Sequence, residues 1–245
     1  MDQWIEYYDS AHTIYVSELH RDVHFKVIAR EIIGYIPSAS ATVLDYSCGE
    51  ALSASQVADA CGRLILAEPA PSLRARLAAR FANDPKIEVR SLDDLAALAP
   101  RSVDLAVMNS VAQYMTRDEL RAALAMIRRL LKPGGTLVVG DIIRPDSGMV
   151  PDILALLRFG YRNGFLKDAL TGLVTTALSD YRKLRSSIGL QTYTEAELMT
   201  LLNEAGFNPR RSGKNIGHNP ARMTFVALPD CSHDSLPELT LNDAI

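Results

Sequence analysis

The stretch Val43-Leu44-Asp45-Tyr46-Ser47-Cys48-Gly49-Glu50-Ala51-Leu52-Ser53 closes an apolar run with an acid and follows it with small residues. Small side chains let a backbone approach a ligand closely, and the free N–H groups of a following helix favour anionic or strongly polar groups. Twenty-three residues after Asp45 a second apolar run ends in Ala67-Glu68-Pro69. A carboxylate in that position can accept hydrogen bonds from both hydroxyls of a ribose. Each piece alone also fits a tight turn or a surface acid; in one register they point to nucleoside binding.

His20 and His24 stand one helical turn apart on a face shared with Val16, Val23 and Val27. Such a pair can be half a metal site, but no third ligand accompanies it, so no metal is expected and both read as partly buried helix residues. Cys48, Cys61 and Cys231 cannot all pair and lack metal-ligand spacing, which suits a reduced, cytoplasmic setting. The first eight residues carry no basic segment followed by an apolar core and are not expected to be a secretory signal.

The elements that must position these residues alternate in type. Short β-rich runs at 42–46, 63–67, 87–90, 103–109 and 136–141 are separated by helical patterns at 53–60, 72–82, 93–98 and 117–131, which is the signature of βαβ units and a largely parallel sheet. Leu120, Leu124, Ile127 and Leu131 keep helical spacing until Pro133-Gly134-Gly135 stops them. A last pair near 209–216 and 222–228, joined by Gly217-His218-Asn219-Pro220, reads as adjacent antiparallel strands. Residues 10–36 read as one or two helices. Residues 144–190 contain an amphipathic helix with one apolar stripe through Leu166, Leu170, Leu173, Val174, Ala177, Leu178, Tyr181 and Leu184.

On these residues the sequence resembles the class I S-adenosylmethionine-dependent methyltransferases. Asp45 to Ala51 is similar to that family's Asp-x-Gly-x-Gly-x-Gly loop, with Ser47 and Ala51 in place of two glycines, and Glu68 stands at its ribose-binding acid. Ile87 to Leu95 is similar to the third-strand segment that flanks adenine, with Ser91 where an acid is usual unless the register slips to Asp93. Val103 to Tyr114 resembles the fourth-strand motif, and Leu130 to Leu137 the helix stop before the fifth strand. The resemblance implies an α/β fold: a doubly wound, mostly parallel seven-stranded sheet with an antiparallel last strand, an N-terminal helical cover, and a helical insert between strands five and six.

It also implies a site. S-adenosyl-L-methionine would be bound by Asp45, Ser47, Gly49, Glu68, Pro69, Ser91, Leu92, Asn109, Ser110 and Tyr15. In this topology the loop carrying His218 lies at the carboxyl end of the sheet, where a proton acceptor is useful; His24, on helices that fold over the cofactor in many relatives, and Gln113, after the fourth strand, are the other catalytic candidates. Each has a plainer reading, respectively a turn, a packed helix face and a strand-to-helix corner. The expected reaction is methyl transfer to a small, apolar or amphiphilic acceptor, with oxygen favoured over nitrogen or carbon. A non-catalytic binding subunit of the same fold is the first rival. A nicotinamide-dependent oxidoreductase is the second, and the loop lacks its Gly-x-Gly-x-x-Gly spacing.

The 245 residues are 48% hydrophobic and 22% charged, ordinary values that exclude collagenous and coiled-coil classes. They are expected to form one domain over 1–228, with N-terminal helices at 1–40, the insert at 144–190, and a flexible tail at 229–245. A formal charge of −3 gives no reason to expect nucleic-acid binding. Within the insert seven basic residues face four acidic ones, so it carries +3 and the remainder −6. The insert is read as a lid over the acceptor pocket, with a homodimer contact and peripheral membrane contact as competing readings.

Overall fold

A computed structural model describes residues 15–178 and 190–230. The sequence alternation becomes a seven-stranded sheet in the order β3-β2-β1-β4-β5-β7-β6. Its strands are β1 (Thr42–Tyr46), β2 (Arg63–Ala67), β3 (Ile87–Arg90), β4 (Val103–Asn109), β5 (Leu131–Ile142), β6 (Phe207–Arg211) and β7 (Met223–Pro229). Strands β1 to β5 pair in parallel, β7 runs antiparallel to both β5 and β6, and β6 therefore shares the direction of the first five. Strand order reverses between β1 and β4, and their diverging carboxyl ends open a crevice of the kind in which doubly wound sheets bind ligands.

The period-2 alternation of the strands divides the core into two layers. Leu44, Ile65, Ala106 and Met108 face α4 (Arg117–Leu130) and α7 (Glu195–Glu204). Val43, Leu64, Leu105 and Val107 face the opposite layer, made by α1 (Glu18–Ile33), α2 (Ala54–Asp59) and α3 (Pro71–Arg80). Helix α4 opens on a capping box between Thr116 and Glu119 and buries Leu120, Leu124 and Ile127 completely. Those three side chains alone contribute about 5–8 kcal/mol of burial.

Several boundaries differ from the sequence pattern; the sixth strand, expected near 209–216, runs Phe207–Arg211. Strand β5 begins at Leu131 rather than Thr136, because Leu131 pairs with Val103 before a bulge. Lys132 Nζ lies 2.8 Å from Asp104, whose carboxylate also accepts the Thr42 N–H at 2.8 Å, so the Lys132–Gly135 turn ties three strands together. The insert carries two helices in place of a single stripe, α5 (Met149–Asn163) and α6 (Leu166–Leu178). Gly164, at φ +82°, caps α5 in the left-handed region and separates them. Leu170 of the expected stripe is exposed; Phe159, Phe165 and Ala169 are buried instead, against Val16, Val23 and Val27. Residues 10–14, Tyr181, Leu184 and the tail beyond Asp230 lie outside the described residues, and Pro229, assigned to that tail, belongs to β7. Among the described residues no helix is long and apolar enough to cross a membrane.

Candidate active site

The crevice between β1 and β4 is floored by a loop whose backbone visits the left-handed region at every second residue: Ser47 (φ 57°), Gly49 (φ 61°) and Ala51 (φ 42°). Serine and alanine thus adopt the conformation that glycine takes without strain, at a cost of about 1 kcal/mol each. The shape is held from outside the loop. Cys48 N–H donates to the Ala67 carbonyl at 3.2 Å, and Gly49 N–H donates to Glu68 Oε2 at 2.9 Å. The other Glu68 oxygen accepts the Ala70 N–H at 2.9 Å, and Arg74 braces the Glu68 and Pro69 carbonyls at 2.8 and 3.0 Å. Glu68 is only 3% exposed, so its carboxylate is fixed in orientation at the end of β2.

Asp45 lies beneath this loop. Burial, and next the nearby Glu68 charge, push its carboxyl up to about 7. Burial likewise pushes the Cys48 thiol well above the thiol range.

Across the crevice, β4 ends in Asn109 and Ser110. Asp45 pairs with Val107, so Ser47 and Asn109 each stand two residues beyond a paired position, on opposite walls. Ser47 Oγ and Asn109 Oδ1 are both buried without a hydrogen-bond partner. Native structures rarely leave such atoms unpaired, so a polar ligand is the natural partner. A Cβ on Gly140 of β5 would meet Asn109 Oδ1, so the glycine leaves room for the Asn109 side chain where it now lies. Ser110, at φ 60°, donates its hydroxyl to Asp141 Oδ2 at 2.8 Å, and Asp141 is itself at φ 58°. Burial raises the Asp141 carboxyl. Gln113 Nε2 donates to the Ser110 carbonyl at 2.8 Å and leaves Gln113 Oε1 buried and unpaired.

The N-terminal helix and the β6–β7 loop bring the histidines together. Ring centres of His20, His24 and His218 stand 6.1, 6.0 and 5.9 Å apart. His218 stacks on Phe159 at 4.5 Å, His20 on Phe165 at 4.9 Å, and Tyr15 meets His20 and His24 at 5.4 Å each. Burial lowers His20 to about 4, His218 to about 4 and His24 to about 3, so all three rings are neutral at pH 7. His20 Nδ1 accepts the Val16 N–H at 3.4 Å, while its buried Nε2 has no partner. Among the described residues no group of three or more His, Cys, Asp and Glu side chains is arranged to hold a metal.

The sequence candidates therefore fall into two groups. Asp45, Ser47, Gly49, Glu68, Pro69, Asn109 and Ser110 share the carboxyl edge of β1, β2 and β4; His24, His218 and Tyr15 share the aromatic cluster. Ser91 and Leu92 follow β3 on the same edge as Glu68, where Ser91 exchanges hydrogen bonds with Asp94 at 3.1 Å and Leu92 packs on the core. Sequence reading missed Asp141, Arg21 and Glu50. Asp141 carried the same signal as Asp45, an acid closing a buried strand; Arg21 and Glu50 carried none, being a surface-type pair 29 positions apart.

Residues 44–139 match the methyltransferase domain family model. Over 97 residues the chain is 38% identical to chondramide synthase of Chondromyces crocatus, covering 32% of this chain and 2% of the synthase. Over 112 residues it is 34% identical to an uncharacterized methyltransferase of Mycobacterium tuberculosis, covering 45% of this chain and 55% of that protein. The chain thus spans about half the length of the one relative and a small fraction of the other. Among solved structures it is similar to the 1,6-didemethyltoxoflavin-N1-methyltransferase of Burkholderia thailandensis, a structure with bound 1,6-didemethyltoxoflavin and S-adenosylhomocysteine. The TM-score is 0.54 at 17% identity, covering 86% of this chain and 82% of that one.

Proposed function

Residues 44–139 being a methyltransferase domain on the class I fold, we propose that the protein transfers a methyl group from S-adenosylmethionine to a small, apolar or amphiphilic acceptor. The observation that carries this reading is the pair of buried atoms without a hydrogen-bond partner, Ser47 Oγ and Asn109 Oδ1, on residues that stand at the carboxyl ends of β1 and β4, where the crevice opens. The residues present fit the cofactor. Glu68 stands fixed at the end of β2 where the ribose hydroxyls would lie, Ser47 and Asn109 offer acceptors to an ammonium group, and nothing stands within 4 Å of the open side of Gly49. Pro69, Ser91 and Leu92 would border adenine, with Ser110 and Tyr15 nearer the methyl group. Bound there, the cofactor supplies an electrophilic methyl on a sulfonium.

The chain's own residues supply position and a proton acceptor. A hydroxyl acceptor becomes strongly acidic as it takes up the methyl group. A neutral ring titrating near 4 is basic enough to receive that proton, which supports His24 or His218 in the role and favours oxygen as the acceptor atom. Gln113, anchored to the Ser110 carbonyl, would orient the acceptor. The insert packs Phe159 on His218 and Phe165 on His20, which supports its reading as a lid over dimer or membrane contact. Ser47 and Ala51 keep the left-handed loop despite the missing glycines, which counts against a non-catalytic binding subunit.

Calorimetry with S-adenosylhomocysteine tests the cofactor reading: binding in the micromolar range is expected, weakened about 100-fold in Glu68→Ala through loss of two charge-assisted hydrogen bonds. No binding, or binding indifferent to Glu68→Ala, sinks it. Incubation with radiolabelled S-adenosylmethionine and a small-molecule extract then separates an enzyme from a binding subunit by whether label enters the extract.

A further inference from the structure

Glu50 sits between Gly49 and Ala51, at the crest of the loop that approaches the cofactor, and its side chain turns away from the sheet to meet α1. Arg21 Nε donates to Glu50 Oε2 at 2.9 Å and Arg21 Nη2 donates to Glu50 Oε1, a two-pronged guanidinium–carboxylate pair. Arg80 Nη1 holds the Glu50 carbonyl at 2.7 Å, so the residue is gripped at both backbone and side chain. The two halves of α1 are anchored differently. Its later half carries Ala29 and Ile32 into the core under the sheet. Its first half packs on the insert through Val23, with Val16 just ahead of it and Val27 just past its middle, and reaches the loop through Arg21. Tyr15, just ahead of the helix, lies within electrostatic reach of Glu50, Arg21 and Tyr114, so this end of α1 spans from the β1 loop to the turn after β4. It crosses the mouth of the crevice.

Resting on the cofactor reading above, we propose that the Arg21–Glu50 pair is a clasp that holds the first half of α1 over bound S-adenosylmethionine, so that the cofactor leaves only after the clasp opens. Arg21 is here a positioning residue. It touches the loop, and its effect is on residence time. The two side chains are 26% and 31% exposed, shielded enough for the pair to matter and exposed enough for water to compete when it opens. A lysine at position 21 would offer a point charge in place of the fork and would hold less well.

Stopped-flow release of S-adenosylhomocysteine from the full chain tests the clasp. Arg21→Ala and Glu50→Ala are each expected to speed release about tenfold, Arg21→Lys by less, and the double alanine variant by no more than either single. The exchange Arg21→Glu with Glu50→Arg, which restores opposite charges, is expected to recover slow release. Thermal melting of each apoprotein checks that it is folded. Unchanged release in Arg21→Ala, additive effects in the double variant, or a charge exchange as leaky as the singles would each overturn the clasp while leaving the cofactor reading intact. Wild-type protein that binds no S-adenosylhomocysteine overturns both.

Discussion

On the proposed cofactor site, Asp45 should make binding a proton-linked event whose size can be worked out. Its carboxyl is displaced from 3.8 to about 7 by burial and by the Glu68 charge, equivalent to ~4 kcal/mol favouring the neutral form. Burial moves the neighbouring Cys48 thiol upward, and in the aromatic cluster it moves His20 to about 4, His24 to about 3 and Tyr15 upward. Asp45, at about 7, is therefore a site group expected to change charge between pH 6 and 8, and Asp45→Asn separates its contribution from that of Asp141, which burial also raises. A ligand bringing an ammonium, and a sulfonium in the donor form, into the crevice favours the carboxylate, so binding expels the proton. With a titration near 7, about 0.9 proton is released at pH 6, 0.5 at pH 7 and 0.1 at pH 8. Affinity should then rise about fivefold from pH 6 to 7, about tenfold in all from pH 6 to 8, and level off above 8. Calorimetry of S-adenosylhomocysteine in buffers of low and high ionisation enthalpy measures the release directly, and Asp45→Asn should abolish it. Enthalpies identical in both buffers at pH 6, or an affinity flat from pH 6 to 8, would refute the reasoning.

Ser47→Gly removes both a left-handed serine and an unpaired buried hydroxyl, so the apoprotein should melt higher by the equivalent of about 1 kcal/mol while S-adenosylhomocysteine binds more weakly. Glu68→Gln turns an NH2 group toward one of the two N–H groups that now donate at 2.9 Å, and should cost about 1–3 kcal/mol in thermal unfolding. For the histidines the folded value is depressed. The unfolded chain therefore binds more protons below about 6.5, and stability present above that pH is lost down to about 4. Buried His20 alone accounts for about 3 kcal/mol of this loss, and a melting temperature that does not fall between pH 6.5 and 4 would contradict the cluster's burial.

What was legible in the sequence was whatever short-range pattern decides. Strands β1 to β4 have the predicted bounds because each is a buried apolar run closed by a turn signal. The sixth and seventh strands were found as a pair, though β6 is shorter, since Ser212 to Arg222 is spent on the loop that carries Asn215 and His218. The early start of β5 depends on Val103, nearly thirty residues away, and no local pattern reveals it. The division of the insert was written in Asn163-Gly164, a helix stop, but the run of leucines beyond it outweighed that signal. In the site, Asp45 and Glu68 were readable because an acid at the end of a buried strand has few other uses. Arg21 and Glu50 look like any solvated pair until the fold places α1 over the loop.

The histidines show how far spacing can mislead and how tertiary contacts correct it. An i, i+4 pair on a helix suggests half a metal site, and the fold does supply a third histidine within about 6 Å of both. Yet His20 spends Nδ1 on the Val16 N–H, and both His20 and His218 lie flat against phenylalanines. A ring whose Nδ1 accepts a backbone N–H and which is neutral carries its proton on Nε2. The unpaired buried atom of His20 is therefore a donor, suited to an oxygen of a bound ligand. On the proposed site, the same burial that depresses the three rings would keep them uncharged beside a cationic cofactor, where protonated histidines would repel it. Low basicity in this cluster is thus compatible with proton transfer only after the acceptor has begun to carry the methyl group, and it is the condition under which donor and acceptor can share the crevice.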